Sequence, residues 1–196
     1  MNTRNLTLII IVGLILLLGG CGCSSYNTLV NKDETVKNKW SAVQSDYQRR
    51  ADLIPNLVNT VKGAANFEQE TLTRVIEARS KATQVNLNPG DLTPENIQRF
   101  QAAQGELSGA LSRLLVTVER YPELKANQNF LDLQKQLEGT ENRINVSRKD
   151  FNNAVQDYNS SVRRFPANIF AGMFGFGVKQ GFTAEAGAER APDVKF

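Results

Sequence analysis

The chain of 196 residues contains no histidine. That excludes imidazole general-base chemistry, the Ser-His-Asp triad, the Cys-His dyad and any His-based metal site, and with them most hydrolase templates. Cysteine occurs only at Cys21 and Cys23, both at the end of an N-terminal apolar run. The remainder therefore has no disulfide, thiolate zinc site or thiol nucleophile, and its stability rests on packing. Charge of one sign is also missing: 23 Lys and Arg against 20 Asp and Glu leave a net +3, too little for a phosphate-binding face, so no nucleic-acid partner is expected. No phosphate loop, dinucleotide fingerprint or nucleophile elbow occurs, and no cofactor is expected. What is present, 41% hydrophobic and 22% charged residues, suits one globular domain of roughly 150 residues with appendages.

The first appendage is an address. Leu6 to Leu18 is apolar apart from Thr7 and Gly13, behind a short segment carrying Arg4, which reads as a signal-type h-region. Leu18-Gly19-Gly20-Cys21 is similar to a lipobox, which would place a lipid on Cys21 and the domain outside the cytoplasm. The rival reading takes Leu6 to Cys23 as 18 uncharged residues, about 27 Å of helix, which just spans a thin bilayer core as an uncleaved single-pass anchor. Residues 1–23 are thus assigned to a signal or anchor, 24–165 to a helical body, 166–182 to a Phe/Gly-rich short helix or capping segment, and 183–196 to a mobile tail.

The body reads as long helices. Val36, Trp40, Val43, Tyr47, Ile54, Leu57, Val61, Leu72, Val75 and Ala82 recur at steps of three and four, a helical stripe of heptad type. Pro55 lies inside it and must kink the helix or end it. The phase continues past the proline, which favours a continuous kinked helix. Thr93-Pro94-Glu95 then marks a new helix start. A second stripe follows at Ile97, Phe100, Gln104, Leu107, Leu111, Leu114 and Val118. A third runs from Phe130 through Leu137, Ile144, Phe151 and Tyr158 to Val162. Three long rods with short connections, or four if the chain reverses at Pro55, predict an all-α antiparallel up-and-down bundle.

With three rods, Arg50 falls level with Glu119 and Glu123, its expected ion-pair partners. Arg49 and Arg50 are read as a structural ion-pair layer, with Glu68 on the seam facing Arg113 or Arg143. The same register leaves Tyr26, Val36, Trp40, Val43 and Tyr47 without a partner in their own chain, so this stripe needs a second copy or other protein, the membrane surface, or a fold-back at Pro55 that makes four helices of similar length. Glu138 and Glu141, spaced i and i+3, resemble half of a carboxylate metal site, but without histidine they are read as salt-bridged acids and no metal is expected.

Longer motifs then carry a resemblance. Tyr26-Asn27-Thr28-Leu29-Val30, Trp40-Ser41, Gln48-Arg49-Arg50-Ala51-Asp52-Leu53-Ile54-Pro55-Asn56-Leu57-Val58, Glu119-Arg120-Tyr121-Pro122-Glu123-Leu124-Lys125-Ala126-Asn127, Leu137-Glu138-Gly139-Thr140-Glu141-Asn142-Arg143-Ile144 and Pro192-Asp193-Val194-Lys195-Phe196 resemble blocks of the LemA family. The resemblance implies a membrane-attached helical bundle of the bacterial envelope. It implies no enzymatic activity, and a partner such as a membrane protease. The expectation is a non-catalytic interaction scaffold or adaptor, as a homo-oligomer or with an envelope protein. The alternatives are a carboxylate-based metal protein or enzyme using Glu68, Glu119, Glu138 and Glu141, and a lipid-surface module working through the Phe/Gly segment.

Overall fold

A computed structural model describes residues 3–63 and 67–183, with only some of the side chains before Gly19. The first helix, α1, runs from Thr3 to Lys62 and passes through Pro55 without ending. The exposed proline lies on the outer side of the rod, where its missing N–H leaves the seam residues Ile54 and Leu57 undisturbed.

The chain reverses instead at Gly63, and this corrects the expected single rod from Val36 to Ala82. Helix α2, Gln69–Gln84, runs back alongside α1, its first turn preceded by Glu68 in extended conformation. The heptad phase crosses this turn by coincidence, and it concealed the reversal. Helix α3, Pro94–Val118, starts where Thr93 accepts a hydrogen bond from the Asn96 N–H. A single turn, α4 (Pro122–Lys125), leads to α5, Gln128–Arg163, whose N-cap Asn127 accepts from the N–H groups of Asn129 and Phe130. Last comes α6, Ala167–Phe174, closed by Gly175 at φ 76°, a left-handed conformation that suits glycine. The body is thus an antiparallel bundle with four principal helices, α1, α2, α3 and α5, and the described residues include no strand.

Helices α1 and α5 keep one antiparallel register throughout: Lys32 meets Asp157 at 3.1 Å, Lys39 meets Asp150 at 2.8 Å and Arg50 meets Glu141 at 3.0 Å. Two cores lie along this axis. One is aliphatic, enclosed by all four principal helices, with Leu57, Val61, Leu72, Val75, Leu107 and Leu114 almost fully buried. The other is aromatic, built where α1 and α5 run on past the end of α2 and the first turns of α3, and contains Trp40, Tyr47, Phe100, Phe151, Tyr158 and Phe182.

Candidate functional site

Between the two cores sits a polar layer centred on Arg50, which is only 2% exposed. Its Nη1 donates to Ser108 Oγ at 2.8 Å and Glu141 Oε2 at 3.0 Å, and its Nη2 donates to Gln104 Oε1 at 2.7 Å and the Gln104 carbonyl at 3.3 Å. The guanidinium carbon lies 5.0 Å from the Tyr47 ring centroid, a cation–π contact. Gln104 in turn donates to the Ala82 carbonyl at 3.3 Å, and Arg79 Nε donates to the Ala51 carbonyl at 2.7 Å, so α1, α2, α3 and α5 all join this layer. Arg50 Nε is the one buried side-chain nitrogen or oxygen among the described residues without a hydrogen-bond partner. The Arg50–Glu141 ion pair is buried at one end only, since Glu141, 48% exposed, keeps part of its hydration.

Beside it, an open groove of about 750 Å³ is lined on α1 by Gln44 to Arg49 and by Asp52 and Leu53, on α2 by Ala82 and Thr83, and by Arg143 of α5. Its polar rim carries exposed Gln48, Arg49, Asp52 and Arg143.

The aromatic core is sealed by chain that returns after α6. Asn159 donates to the Lys179 carbonyl and accepts from its N–H, both at 2.8 Å. Asn152, two turns earlier on α5, does the same for Phe182 at 3.1 and 2.8 Å. Tyr158 donates to the Gly177 carbonyl at 3.0 Å. The two asparagines hold the strand-like strap by its backbone, and Phe182 inserts against Trp40, Phe100 and Phe151. Gly181 permits this approach, because a Cβ there would lie 2.7 Å from Asn152 Oδ1. Lys179 also pairs with Asp33 at 2.9 Å. Burial pushes the Asp33 carboxyl up, but hydrogen bonds and charge from Lys37 and Lys179 prevail and hold it below its ordinary value. Burial, reinforced by the Asp33 charge, pushes the Tyr158 hydroxyl up to about 12.

This arrangement overturns the expected open stripe. Val36, Trp40 and Val43 are 0% exposed and Tyr47 is 6% exposed, covered by α5, α3, the loop at Leu87 and the strap. The Trp40 indole N–H is spent on the Leu87 carbonyl at 3.0 Å. Tyr26 alone stays 43% exposed, edge-on to Phe174 and Phe176.

The expected ion pairs are also re-sorted. Arg50 meets Glu141 rather than Glu119 or Glu123, because the turn at Gly63 shifts the register; Glu119 pairs with Lys125, and Glu123 opens α4. Glu68 leaves the seam for the surface, where Arg120 pairs with it at 2.8 Å instead of Arg113 or Arg143. Glu138 accepts from Gln134 at 3.0 Å, while Arg49 and Arg143 line the groove. Among the described residues no group of three acids or cysteines could hold a metal, and Glu68, Glu119, Glu138 and Glu141 have separate partners. The Cys21 backbone lies within α1, but its side chain is outside the described residues, as is the tail from residue 184. Asn152, Asp33 and Lys179 carry no signal in the sequence, and the role of Asn159 in holding the strap is visible only in the fold. The seven-residue spacing of the asparagines is a signal only once something is known to lie across them.

Residues 39–196 match the model of the LemA family. The chain belongs to the LemA family. Among LemA-related proteins, it is 26% identical over 168 residues to magnetosome protein MamQ 2 of Paramagnetospirillum magneticum, covering 77% of this chain and 62% of that protein. It is 25% identical over 145 residues to protein LemA of Metamycoplasma hominis, covering 74% and 63%. To magnetosome protein MamQ of Magnetospirillum gryphiswaldense it is 24% identical over 168 residues, covering 77% and 62%. The chain thus spans a little under two thirds of the length of these curated LemA-type relatives.

Proposed function

We infer that this LemA-family chain is a membrane-tethered, non-catalytic helical bundle that serves as a scaffold or adaptor in the bacterial cell envelope. The observation that carries this reading is the unbroken course of α1, which joins the Leu6 to Leu18 apolar run to the centre of the bundle in one helix. Among the described residues no helix is long and apolar enough to cross a membrane, and most side chains of that run lie outside them. The tether therefore rests on the sequence of the run. Lipid on Cys21, with the domain outside the cytoplasm, and an uncleaved single pass both leave the bundle starting near Gly22.

The polar interior supports a structural role, since Arg50, Gln104 and Glu141 spend their hydrogen bonds on one another. With the aromatic stripe covered, the rim of the groove at Gln48, Arg49 and Asp52 is the surface offered to a second copy or to an envelope protein such as a membrane protease. Carbonate washing of membranes from cells making the full chain leaves it in the pellet; release to the supernatant overturns the tether. Mass spectrometry of the mature N-terminus then separates a diacylated Cys21 from an intact Met1. A photo-crosslinker at Gln48 gives a defined protein adduct, whereas adduct-free monomer in intact membranes rejects the scaffold.

A further inference from the structure

The exposed apolar side chains are gathered at one end of the molecule. Phe165 is 79% exposed, Met173 73%, Val178 66%, Ile169 53% and Phe174 50%. All belong to α6 or its immediate flanks. Elsewhere in the described body, large exposed apolar residues occur singly, as at Ile76, Val116 and Val146, a scatter that needs no explanation.

Helix α6 is fixed at the level where α1 leaves the bundle. The Phe170 ring packs on Gly22, where an added Cβ would meet it at 3.1 Å, and Phe174 packs edge-on to Tyr26 at 5.0 Å. Gly22 adjoins Cys21, the lipid-bearing first residue if the chain is cut, and lies in the last turn of the Leu6 to Cys23 anchor if it is left whole. From Cys21 to Tyr26 is about 7.5 Å of helix, comparable with the depth of the headgroup and upper acyl region.

Charge points the same way. No acidic residue occurs before Asp33 or between Asp157 and Glu185, while Arg163 and Arg164 stand exposed just before Phe165. Among the described residues neither arginine forms an ion pair with an acid. An apolar face bordered by exposed guanidinium groups that meet no acid among the described residues matches an anionic bilayer surface and would repel a basic protein face.

We propose that α6 is a second membrane contact: its exposed face seats in the boundary between headgroups and acyl chains, with Arg163 and Arg164 among anionic headgroups. This rests on the membrane tether and adds to it an orientation. Two attachments, the α1 anchor and α6, hold the bundle axis at a set tilt and present the groove at a set height above the bilayer.

The test uses the full chain in vesicles containing phosphatidylglycerol, with tryptophan introduced as Met173→Trp. Val116→Trp, equally exposed but distant from α6, is the control, and buried Trp40 is a shared background. Lipids brominated near the headgroup end of the acyl chain quench the added emission of M173W and leave V116W unchanged. Equal quenching in the two variants, with the chain still floating with vesicles, overturns the α6 contact while leaving the tether intact. A chain that does not float overturns the tether itself. Protection of M173W from iodide that grows with protein concentration, without bromine quenching, identifies a second copy as the occupant and rejects the proposal. Full quenching in phosphatidylcholine that Arg163→Gln with Arg164→Gln leaves unchanged removes the anionic-headgroup part.

Discussion

The two cores solve the same problem with different residues. In the aliphatic half, four helices surround the seam, and Leu, Val and Ile of medium size fill it. In the aromatic half α2 has ended and α3 contributes only its first turns, through Ile97 and Phe100, so the seam between α1 and α5 is left open on one side. Large rings on both helices fill the seam, and the open side is covered by the loop bearing Leu87 and Leu92 and by the strap bearing Phe182. Helix faces determine the first half, whereas the second depends on chain from elsewhere in the sequence. The Arg50 layer lies where one solution gives way to the other.

The largest expected effect separates these halves. Trp40→Ala should cost about 4 kcal/mol, because it empties a ring site touched by Phe100, Phe151 and Phe182 and leaves the Leu87 carbonyl without its indole donor. Leu107→Ala in the aliphatic half should cost about 3 kcal/mol, because neighbouring side chains can partly collapse into the space. Guanidinium unfolding of both variants checks the order, and a larger loss for Leu107→Ala would mean that the aromatic seal carries little of the stability.

At the boundary, Arg50→Ala should cost about 3 kcal/mol, the lower end for a broken buried pair because Glu141 can rehydrate. Arg50→Met combined with Glu141→Gln should recover most of that loss by keeping volume without charge. If the double variant folds no better than Arg50→Ala, the layer has a role beyond packing.

Next comes the strap. Asn152→Ala with Asn159→Ala, or Gly181→Ala alone, should cost about 1–2 kcal/mol and open the strap locally. Hydrogen exchange should quicken at the Lys179 and Phe182 amides while those of α3 stay protected. Uniform acceleration would show that the strap and the aliphatic core open together.

The strap also gives the aromatic half its own pH response. Tyr158 is pushed up to about 12 in the fold from an ordinary 10.0, so its contribution is complete below about pH 10 and is lost as pH rises towards 12. Asp33 is held below its ordinary 3.8, so its contribution is complete above that value and is lost as pH falls through the lowered one. Tyr158→Phe should flatten the alkaline loss and Asp33→Asn the acid loss in thermal melts. The smallest effect is expected at Lys39 and Asp150, 42% and 44% exposed, where Lys39→Gln should change stability by about 0.5 kcal/mol or less.

The buried stripe of α3 from Ile97 to Val118 was legible before the fold except for Thr117, as were the Thr93 cap and the third rod from Phe130 to Val162. The reversal at Gly63 was not, because Val61, Glu68 and Val75 keep the heptad spacing across a turn as they would along a helix. A single rod across that turn sets Arg50 against Glu119 and Glu123 instead of Glu141 and leaves the Trp40 stripe apparently bare. The sequence marks residues 166–182 as a short helix or cap, but the course of the strap was illegible for a different reason: its contacts use backbone groups of residues 177–182, which carry no side-chain pattern.

Helical period, apolar faces and the exclusion of histidine and thiol chemistry from the body followed from the sequence by itself, since each is a property of neighbouring residues or of residue type. Which rods lie beside which, that Arg50 faces Glu141, and that Phe182 closes over Trp40 were decided only in three dimensions. Those pairings join residues 91 and about 140 positions apart, and a single loop of changed direction between them alters every meeting point downstream.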